Sequence, residues 1–531
     1  MASQGSFKFT YATMFNPPEE MHTHFEEALQ RVKASLGQEH GMIINGKEYF
    51  LAEKFEDHSP ADTRQLLALF PKGNETDAHA ALQAARQAFP GWSHTPWQTR
   101  VALLRKAAQI IDRRIYEMAA VVALEVGKNR MEALGDVAET ADLFRYACDR
   151  MEAEDGFIKE MGRDPLSSMG YQANNLSVLR PYGVWLVISP FNFPAALSGG
   201  PTAAALVTGN TVIMKPATDT PWTSRLIAEC LREAGLPDGS YNFVTGPGGT
   251  IGQALVDDPD VDGVTFTGSF KVGMKMLQDF THRNWAHPTI LELGGKNPAI
   301  VSRHANLEEA ATGILRSAFG LQGQKCSACS RILVEAPVYD ALTEQLVAMT
   351  NKLVIGDPTE RNVYLGPVVN RTSYRDFKLY CEELSHAGRI LTGGNVLTEG
   401  QFAQGYFCTP TLVADVPFSH RLWREEMFVP IAMLGRVENL DEAMREANNV
   451  SYGLTAGFYG SPDEAEWFFD HIEAGVAYAN RPMGATTGAW PGYQPFGGWK
   501  GSGSSGKNAG GLYYLPLYMH EQIRTLISQV E

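Results

Sequence analysis

A chain of 531 residues exceeds what one ordinary hydrophobic core contains, so two or three domains are expected. Apolar residues make up 44% and charged residues 20%, the balance of a soluble globular protein, and no apolar run reaches the ~18 residues of a membrane span. The formal net charge of −15 disfavours nucleic acid and anionic membranes as partners, because both bind cationic surfaces.

Residues 1–6 have neither an apolar signal core nor an N-terminal glycine for acylation, so cytoplasm is the expected location.

The first predicted elements are a helix and a hairpin. An amphipathic helix is predicted around residues 19–36, and a hairpin at 44–47, where Asn-Gly between apolar neighbours favours a tight turn. Over residues 77–149 apolar residues recur at helical spacing in three segments, with breaks near 90–96 and at Gly127.

Short apolar runs then recur about 25 residues apart, with helical segments between them. This alternation predicts βαβ units and a parallel sheet whose strands are buried on both faces. A second α/β stretch is expected over 298–496, followed by a turn-rich segment. The apolar, tyrosine-rich residues 512–519 would suit an edge strand, a subunit contact or packing on their own domain. The runs are 184–188, 211–214, 241–244, 263–266 and 290–293.

Six cysteines (residues 148, 230, 326, 329, 381 and 408) in so long a chain do not indicate a disulfide framework. Cys326 and Cys329 form a C-x-x-C pair, which alone is compatible with a redox pair or with half of a zinc site. A structural zinc site would need a second Cys or His pair at comparable spacing, and the sequence has none, so no metal is expected. The redox hypothesis predicts that replacing either cysteine abolishes activity.

Four short segments carry the chemistry: Ser-Pro-Phe-Asn-Phe-Pro at 189–194, Val-Ile-Met-Lys-Pro-Ala at 212–217, Leu-Glu-Leu-Gly-Gly-Lys-Asn at 291–297 and Gln-Gly-Gln-Lys-Cys-Ser at 322–327. Each alone is a weak signal. In this order and at these separations they closely resemble the aldehyde dehydrogenase superfamily, and the resemblance runs from about residue 43 to the C-terminus.

The resemblance implies an α/β fold in three parts. A Rossmann-type cofactor domain would comprise residues 1–155 and 181–293, and an α/β catalytic domain residues 294–500. A hairpin at 156–180, plausibly 163–180 itself, and the C-terminal segment 501–531 would form a small oligomerisation element. A homo-oligomer acting on a small-molecule aldehyde is therefore expected, without a defined subunit number.

The resemblance also assigns three catalytic residues. Oxidation of an aldehyde needs a nucleophile that forms a tetrahedral adduct and later leaves, which suits the thiol of Cys326. The Asn192 amide and the backbone N–H of Cys326 would stabilise the oxyanion. Glu292 matches the general base that hydrolyses the thioester, and burial would raise its pKa towards neutrality. Lys325 is a candidate for lowering the pKa of the thiol.

For the cofactor, the glycine-rich stretch 246–252 is one residue off the usual dinucleotide fingerprint. The turn at 266–269, which opens the next helix, would approach the pyrophosphate. NAD is expected, but Thr218 stands where many NAD-preferring relatives have a carboxylate, so NADP stays open. Val429 replaces a family glycine, which would restrict the backbone if φ were positive. The implied cofactor residues are Ser189, Pro190, Phe191, Lys215, Gly252, Phe266, Gly268, Ser269, Leu293, Gly294, Glu426 and Phe428.

Residues 323–331 and 487–498 together resemble the Δ1-pyrroline-5-carboxylate (L-glutamate γ-semialdehyde) dehydrogenases of proline metabolism. A backbone nest can hold the substrate carboxylate without an arginine. The segment 481–493 is longer than in typical members of that group. Oxidation of another aliphatic aldehyde or semialdehyde, including transfer of the acyl group to CoA, and a catalytically inactive binding protein are the alternatives. The implied substrate residues are Ser327, Gly488 and Ala489 for the carboxylate, Glu139 for the ammonium, and Phe193 and Phe496 around the aliphatic chain.

Overall fold

The computed structural model describes residues 17–529, except 163, 165, 167, 168 and 282–284. The predicted α/β class is confirmed, with helices packed on both faces of two large sheets. The helices are α1 (Glu19–Lys33), α2 (Glu75–His94), α3 (Trp97–Arg113), α4 (Ile115–Val126), α5 (Arg130–Ala153), α6 (Ala196–Thr208), α7 (Pro221–Ala234), α8 (Gln253–Asp257), α9 (Phe270–Thr281), α10 (Leu307–Phe319), α11 (Ala336–Thr350), α12 (Arg371–Ala387), α13 (Leu440–Asn448) and α14 (Pro462–His471).

The strands build one sheet in each half of the chain and several smaller ones. They are β1 (Gln38–Glu39), β2 (Met42–Ile44), β3 (Lys47–Tyr49), β4 (Lys54–His58), β5 (Leu66–Pro71), β6 (Ile158–Glu160), β7 (Tyr171–Pro181), β8 (Val184–Ile188), β9 (Thr211–Lys215), β10 (Tyr241–Phe243), β11 (Gly263–Thr267), β12 (Thr289–Glu292), β13 (Asn297–Val301), β14 (Cys329–Glu335), β15 (Arg389–Thr392), β16 (Thr411–Ala414), β17 (Ile431–Val437), β18 (Tyr452–Gly453), β19 (Thr455–Tyr459), β20 (Val476–Ala479), β21 (Trp499–Lys500) and β22 (Met519–Gln529).

The first large sheet has the order β12-β11-β8-β9-β10-β2-β3, and its strands from β12 to β10 run parallel. The predicted apolar runs form these parallel strands. Alternate residues of β8 enter different cores: Trp185 packs with the α3–α7 side and Leu186 with the α2 side. The β2–β3 hairpin closes on Asn45 and Gly46, both with positive φ, as an Asn-Gly turn requires.

The helical region that precedes this sheet differs from the prediction in its boundaries. The break predicted near residues 90–96 is confirmed at Thr95 and Pro96, since α2 continues through Pro90 to His94 and α3 begins at Trp97. The side chains of His94 and Thr95 bond to the carbonyls of residues 90 and 91 and close the last turn. An additional boundary falls at Arg114, so residues 75–153 form four helices instead of three. Gly127 ends α4 with φ +86°, where the break was expected.

The second large sheet has the order β15-β16-β17-β14-β13-β19-β20 and is parallel apart from β15. Its strands lie within the second α/β stretch expected from the sequence. In the sequence, the last strand of the first sheet, β12, ends at Glu292, and the first strand of the second sheet, β13, begins at Asn297.

A third, antiparallel sheet pairs β22 along the whole of β7, with β6 on the other side of β7. Several apolar side chains on these strands are exposed. The tyrosine-rich residues 512–519 lie before this strand, and 515–518 form a 3-10 turn whose Leu515 and Tyr518 are buried in the first core. Leu515 and Tyr518 thus pack on the protein's own core and residues 512–518 form no strand, whereas Leu512 and Tyr513 are exposed and the subunit contact stays a prediction. The exposed apolar residues are Ile158, Met161, Tyr171, Ile523, Leu526 and Ile527.

Within the described ranges, no helix combines the length and the apolar character that crossing a bilayer requires.

Candidate active site

Cys326 lies on a tight turn between α10 and β14. The chain leaves α10 through Leu321 (φ 49°) and Gln322 (φ 54°), two left-handed residues that are not glycine and therefore carry backbone strain. The N–H of Ala328 donates to the carbonyl of Lys325 (3.0 Å), which closes the turn around the cysteine.

The backbone of this turn is hydrogen-bonded to the side chains of two other segments. Asn297 Nδ2 donates to the carbonyls of Cys326 (2.7 Å) and Ala328 (2.9 Å). Glu132 of α5 accepts the N–H of Leu321 (3.0 Å) and lies 2.8 Å from Lys325 Nζ. The segment 320–328 is called the nucleophile turn below.

The thiol of Cys326 is surrounded by protein, although the residue keeps some accessible surface. Burial, and after it the carboxylates of Glu426 and Glu292, raise the pKa of the thiol to about 12, while nearby backbone N–H groups oppose the rise. The sequence offered Lys325 as a group that lowers this pKa. In the structure its ammonium is instead paired with Glu132, and burial favours the neutral form of the thiol.

Asn192 and Phe193 lie in the turn between β8 and α6, and Asn192 is buried. Asp136 anchors the end of this turn, because its carboxylate accepts the N–H of Ala196 at the start of α6 (2.8 Å). The same carboxylate forms a fully buried ion pair with Lys128 (3.0 Å), whose Nζ lies 3.6 Å from the centroid of the Phe193 ring.

Helix α5 thus contacts both the turn that bears Cys326 and the turn that bears Asn192. Glu132, Asp136 and Glu139 follow the i, i+4, i+7 spacing that places side chains on one side of a helix. Burial, and then the neighbouring Asp136, raise the pKa of Glu139 to about 8. Sequence reasoning singled out Glu139 alone; the helical spacing of the three carboxylates was the signal for the other two.

Glu292 is the last residue of β12, at the carboxyl end of a parallel strand where α/β sheets usually carry their sites. Burial raises the pKa of its carboxyl to about 8. Its Oε2 atom is enclosed and has no hydrogen-bond partner among the described residues. A carboxyl with this pKa can exchange a proton with water near neutral pH.

Residues predicted to bind the dinucleotide line a cradle beside the first sheet. Lys215 ends β9, donates from Nζ to the carbonyl of Pro216 (2.8 Å), and has its pKa lowered to about 8 by burial. A Cβ on Gly252 would lie 3.5 Å from Lys215 Cε, whereas Gly248 and Gly249 face open space. Thr218 is exposed beside this cradle. An ammonium with donors to spare and a glycine-lined gap fit a ribose and a pyrophosphate.

Other residues predicted to bind the cofactor lie along the edge of the sheet near Glu292. The N–H of Gly268, in the turn that precedes α9, donates to the carbonyl of Glu292 (3.1 Å). Phe266, Ser269 and Leu293 lie along the same edge, on β11, before α9 and directly after β12. Ser189, Pro190 and Phe191 follow β8, which is hydrogen-bonded between β11 and β9.

On the opposite side, Glu426 leans against the Gly294–Gly295 backbone and accepts the N–H of Gly295 (2.9 Å). A Cβ on Gly294 would collide with its carboxylate, which explains the glycine there. Burial raises the pKa of Glu426 to about 7. Phe428 takes the positive φ (57°) and packs edge-on against Phe191, 5.8 Å between centroids.

Val429 therefore does not occupy the position that needs glycine. The left-handed backbone falls on Phe428, one residue earlier, and Val429 is buried in the core of the second sheet. The β-branched side chain is accommodated without backbone strain.

The segment 484–494 folds over the nucleophile turn. Thr486 Oγ1 donates to the carbonyl of Ser327 (2.6 Å). Gly488 has φ +133°, and its carbonyl accepts the hydroxyl of Tyr478. Arg481 donates to the carbonyl of Thr487 (2.9 Å). Residues 486–488 of this segment are thereby fixed by hydrogen bonds to Ser327, Arg481 and Tyr478.

The other implied substrate residues are distributed around this segment. Ala489 lies in the segment itself, and Phe496, just after it, pairs with Ala509 of the C-terminal region. Phe193 enters from the turn after β8 and Glu139 from α5. The predicted substrate residues thus come from separate stretches of the chain, and of these stretches the segment 484–494 is hydrogen-bonded to Ser327.

A family model for the aldehyde dehydrogenase family matches residues 49–523. A 1-pyrroline-5-carboxylate dehydrogenase from Geobacillus sp. is 39% identical over 501 residues, which is 93% of this chain and 94% of that protein. A second relative of that name, from Halalkalibacterium halodurans, is 39% identical over 500 residues, again 93% of this chain and 94% of the other. Among solved structures, the 1-pyrroline-5-carboxylate dehydrogenase from Thermus with bound NAD superposes with a TM-score of 0.91 at 34% identity over 100% of both chains.

Proposed function

Because this chain belongs to the aldehyde dehydrogenase family, we propose that it oxidises L-glutamate γ-semialdehyde, the open form of Δ1-pyrroline-5-carboxylate, to L-glutamate with NAD. The observation that carries the proposal is the segment 484–494, which is hydrogen-bonded to the carbonyl of Ser327, the residue next to the candidate nucleophile. Relatives that carry the pyrroline-5-carboxylate dehydrogenase name match this chain over almost its full length.

Cys326 is the nucleophile in this proposal. The thiol gives its proton to water, its sulfur attacks the aldehyde carbon, and the amide of Asn192 with the backbone N–H of Cys326 holds the resulting oxyanion. NAD, when bound, accepts the hydride that leaves the adduct. The oxyanion then becomes the carbonyl of a thioester on Cys326, and no further redox step is needed.

Glu292 completes the reaction as the base for hydrolysis. Its carboxylate takes a proton from water while the water oxygen attacks the thioester carbon, and the bond to the Cys326 sulfur then breaks. The carboxyl is ionised about half of the time near pH 8, given its raised pKa. The supporting feature is the unpartnered Oε2 atom, since it leaves an acceptor free for water.

The substrate head group would be held by backbone and by α5. The N–H groups around Gly488 and Ala489 and the hydroxyl of Ser327 suit an α-carboxylate, and the positive φ of Gly488 favours such a nest. Glu139 would pair with the α-ammonium, and a cation there would favour its ionised form.

For the cofactor, Lys215 would bind the adenine ribose and Glu426 the nicotinamide ribose. Thr218 is exposed and carries no negative charge that would repel a 2′-phosphate. NADP therefore belongs among the cofactors that are compared in the experiment.

The exposed apolar side chains of β22 would be covered by a second copy of this chain. Ile523, Leu526 and Ile527 are 54%, 72% and 51% exposed on an eleven-residue strand. Large exposed apolar patches of this kind mark protein–protein contacts. A homo-oligomer is proposed, with the subunit number to be measured by light scattering.

One substrate panel tests the proposal. Cofactor reduction is followed with pyrroline-5-carboxylate, succinic semialdehyde and propanal, with NAD or NADP, each with and without CoA. We expect the highest kcat/KM for pyrroline-5-carboxylate with NAD and no requirement for CoA. Equal or faster turnover of aldehydes that lack the amino-acid head group would contradict the substrate assignment, and dependence on CoA would contradict hydrolysis.

A further inference from the structure

The C-terminal segment of the chain encloses the strand end that bears Glu292. The N–H of Leu293 donates to the carbonyl of Ser502 (2.9 Å), and the N–H of Leu291 donates to Ser504 Oγ (2.9 Å). The N–H of Ser504 donates in turn to the carbonyl of Leu291 (3.1 Å). Residues 502–504 therefore fix the backbone on both sides of Glu292.

The same segment also covers the face of the sheet to which Glu292 points. Thr265 of β11 pairs with Ile290 of β12, and Glu292 lies two residues further along β12. Alternate residues of a strand share a face, so these three side chains point the same way. Ile290 packs in one core with Tyr514 and Tyr518, which places both tyrosines on the Glu292 face.

A buried hydrogen-bond chain ends at Tyr514. Trp185 Nε1 donates to Thr265 Oγ1 (2.9 Å), Thr265 Oγ1 lies 3.0 Å from the Tyr518 hydroxyl, and that hydroxyl donates to the Tyr514 hydroxyl (2.8 Å). An indole N–H can only donate, and each hydroxyl has one hydrogen. Since Tyr518 gives its hydrogen to Tyr514, Thr265 gives its own to Tyr518.

The direction of these hydrogen bonds leaves one hydroxyl hydrogen without an acceptor in the ranges that the structure describes. The Tyr514 hydroxyl accepts from Tyr518, and its own hydrogen has no acceptor among the described residues. A buried donor without an acceptor is costly, so a partner for it is expected. On the same face, the Oε2 atom of Glu292 lacks a donor within the described part of the chain.

The electrostatics agree with a close approach of these groups. Burial is the main cause of the raised pKa of Tyr514 and of Tyr518, and the Glu292 carboxylate adds to it in both. The titratable groups that face Glu292 are these two tyrosines and Cys326. No cation among the described residues has a resolved effect on the pKa of Glu292, which is raised by burial alone.

We propose that Tyr514 is a positioning residue for hydrolysis: its hydroxyl donates a hydrogen bond to the Glu292 carboxylate, directly or through the attacking water, and so keeps the base ionised and oriented. The inference rests on the proposed role of Glu292. Tyr514 keeps its proton throughout; the proton of the attacking water goes to Glu292. Formation of the thioester does not use Glu292, so Tyr514 acts on hydrolysis alone.

An ester that needs no cofactor isolates the two steps. 4-Nitrophenyl acetate acylates a thiol and releases nitrophenolate, so the initial burst reports acylation of Cys326 and the steady rate reports hydrolysis of the acetyl-enzyme. A hydrogen bond to a charged group changes an equilibrium about ten-fold or more. In Tyr514→Phe we expect an unchanged burst, a steady rate lowered about ten-fold near pH 7.5, and a pH midpoint about one pH unit higher.

Two variants serve as controls. Tyr241→Phe removes the hydroxyl of another buried tyrosine of the cofactor half, one without a hydrogen-bond partner among the described residues, and is expected to leave both steps unchanged. Tyr518→Phe removes the donor that orients Tyr514, and is expected to slow hydrolysis less than Tyr514→Phe does. It also keeps the proposal testable if Tyr514→Phe is unstable.

Three results decide the question. A wild-type steady rate and pH midpoint in Tyr514→Phe would overturn this inference alone. Loss of the burst together with the steady rate would show that Tyr514 supports the site as a whole, and would overturn it too. Normal hydrolysis in Glu292→Gln would instead overturn the proposed role of the base, and with it this inference.

Discussion

The nucleophile turn and the end of β12 both hold a reactive group inside the protein, and in both burial raises the pKa of that group. Around Cys326 the backbone is bonded to Asn297 and Glu132 and is forced through left-handed residues. Around Glu292 the backbone is also paired, but the side-chain oxygen Oε2 has no partner in the described part of the chain. The nucleophile is placed by its backbone, whereas the base keeps an acceptor free for water.

The largest expected effect separates Cys326 from its C-x-x-C neighbour. Cys326→Ala should lower turnover by about 10⁴-fold or more, because no other group nearby can form the thioester. Cys329 is buried, and its sulfur contacts the carbonyl of Arg331, so Cys329→Ser should retain most activity. Steady-state reduction of NAD measures both, and equal loss in the two variants would favour the redox pair.

Removal of the base should affect one step only. Glu292→Gln keeps the side-chain shape but cannot accept the proton of water, so a burst of NADH should be followed by a steady rate reduced about 10²–10⁴-fold. In the unmodified protein the steady rate should fall as the pH falls through about 8, because protonation of Glu292 removes the base. Stopped-flow fluorescence against pH measures both, and a steady rate in Glu292→Gln close to that of the unmodified protein would contradict the role.

The backbone placement of the nucleophile can be tested through Glu132. In Glu132→Gln the ion pair with Lys325 is lost and the bond to the Leu321 N–H is weakened, so alkylation of Cys326 by iodoacetamide should slow about ten-fold and stability fall by about 1–3 kcal/mol. Glu152→Gln is the matched control on the same helix, since its pair with Arg105 is exposed and should contribute less than about 1 kcal/mol. Equal alkylation rates in both variants would argue against Glu132 as the anchor.

The smallest effect on activity is expected at Val429. Val429→Gly should leave the KM for NAD within about two-fold, because the residue with positive φ is Phe428. Stability should fall by about 1–3 kcal/mol, since a buried side chain is removed. A lower KM for NAD in this variant would indicate that the valine does strain the nicotinamide side.

Much of the framework could be read from the sequence for physical reasons. Parallel strands that are buried on both faces appear as continuous apolar runs, so the strands of the first sheet were located to within about one or two residues. The Asn-Gly turn at 45–46 and the end of α4 at Gly127 could be predicted because these positions need a positive φ, which glycine adopts readily. Family membership could be predicted from four motifs in a fixed order. The residues of these motifs suit separate steps of one reaction.

Other features depended on contacts between distant segments. The break predicted over residues 90–96 falls at residues 95–96 only, because α2 continues through Pro90 and nearby side chains cap its last turn. Lys325 was expected near the thiol, but Glu132 is 193 residues away in the chain and no local pattern predicts that it captures the lysine. Residues 512–519 are apolar enough for an edge strand. Residues 512–518 do not form one because Tyr518 packs into the core of the first sheet.

The sequence by itself predicted the α/β class from short-range periodicity, and the family motifs within it predicted the reaction class and the candidate nucleophile and base. Only the tertiary structure decided how these groups are held. Carboxylates of α5 hold the turns that bear Cys326 and Asn192. The residue with positive φ is Phe428 and not Val429. The tyrosines of the C-terminal segment lie on the Glu292 face of the first sheet. Such partners are chosen by proximity after folding, which the order of residues along the chain does not encode locally.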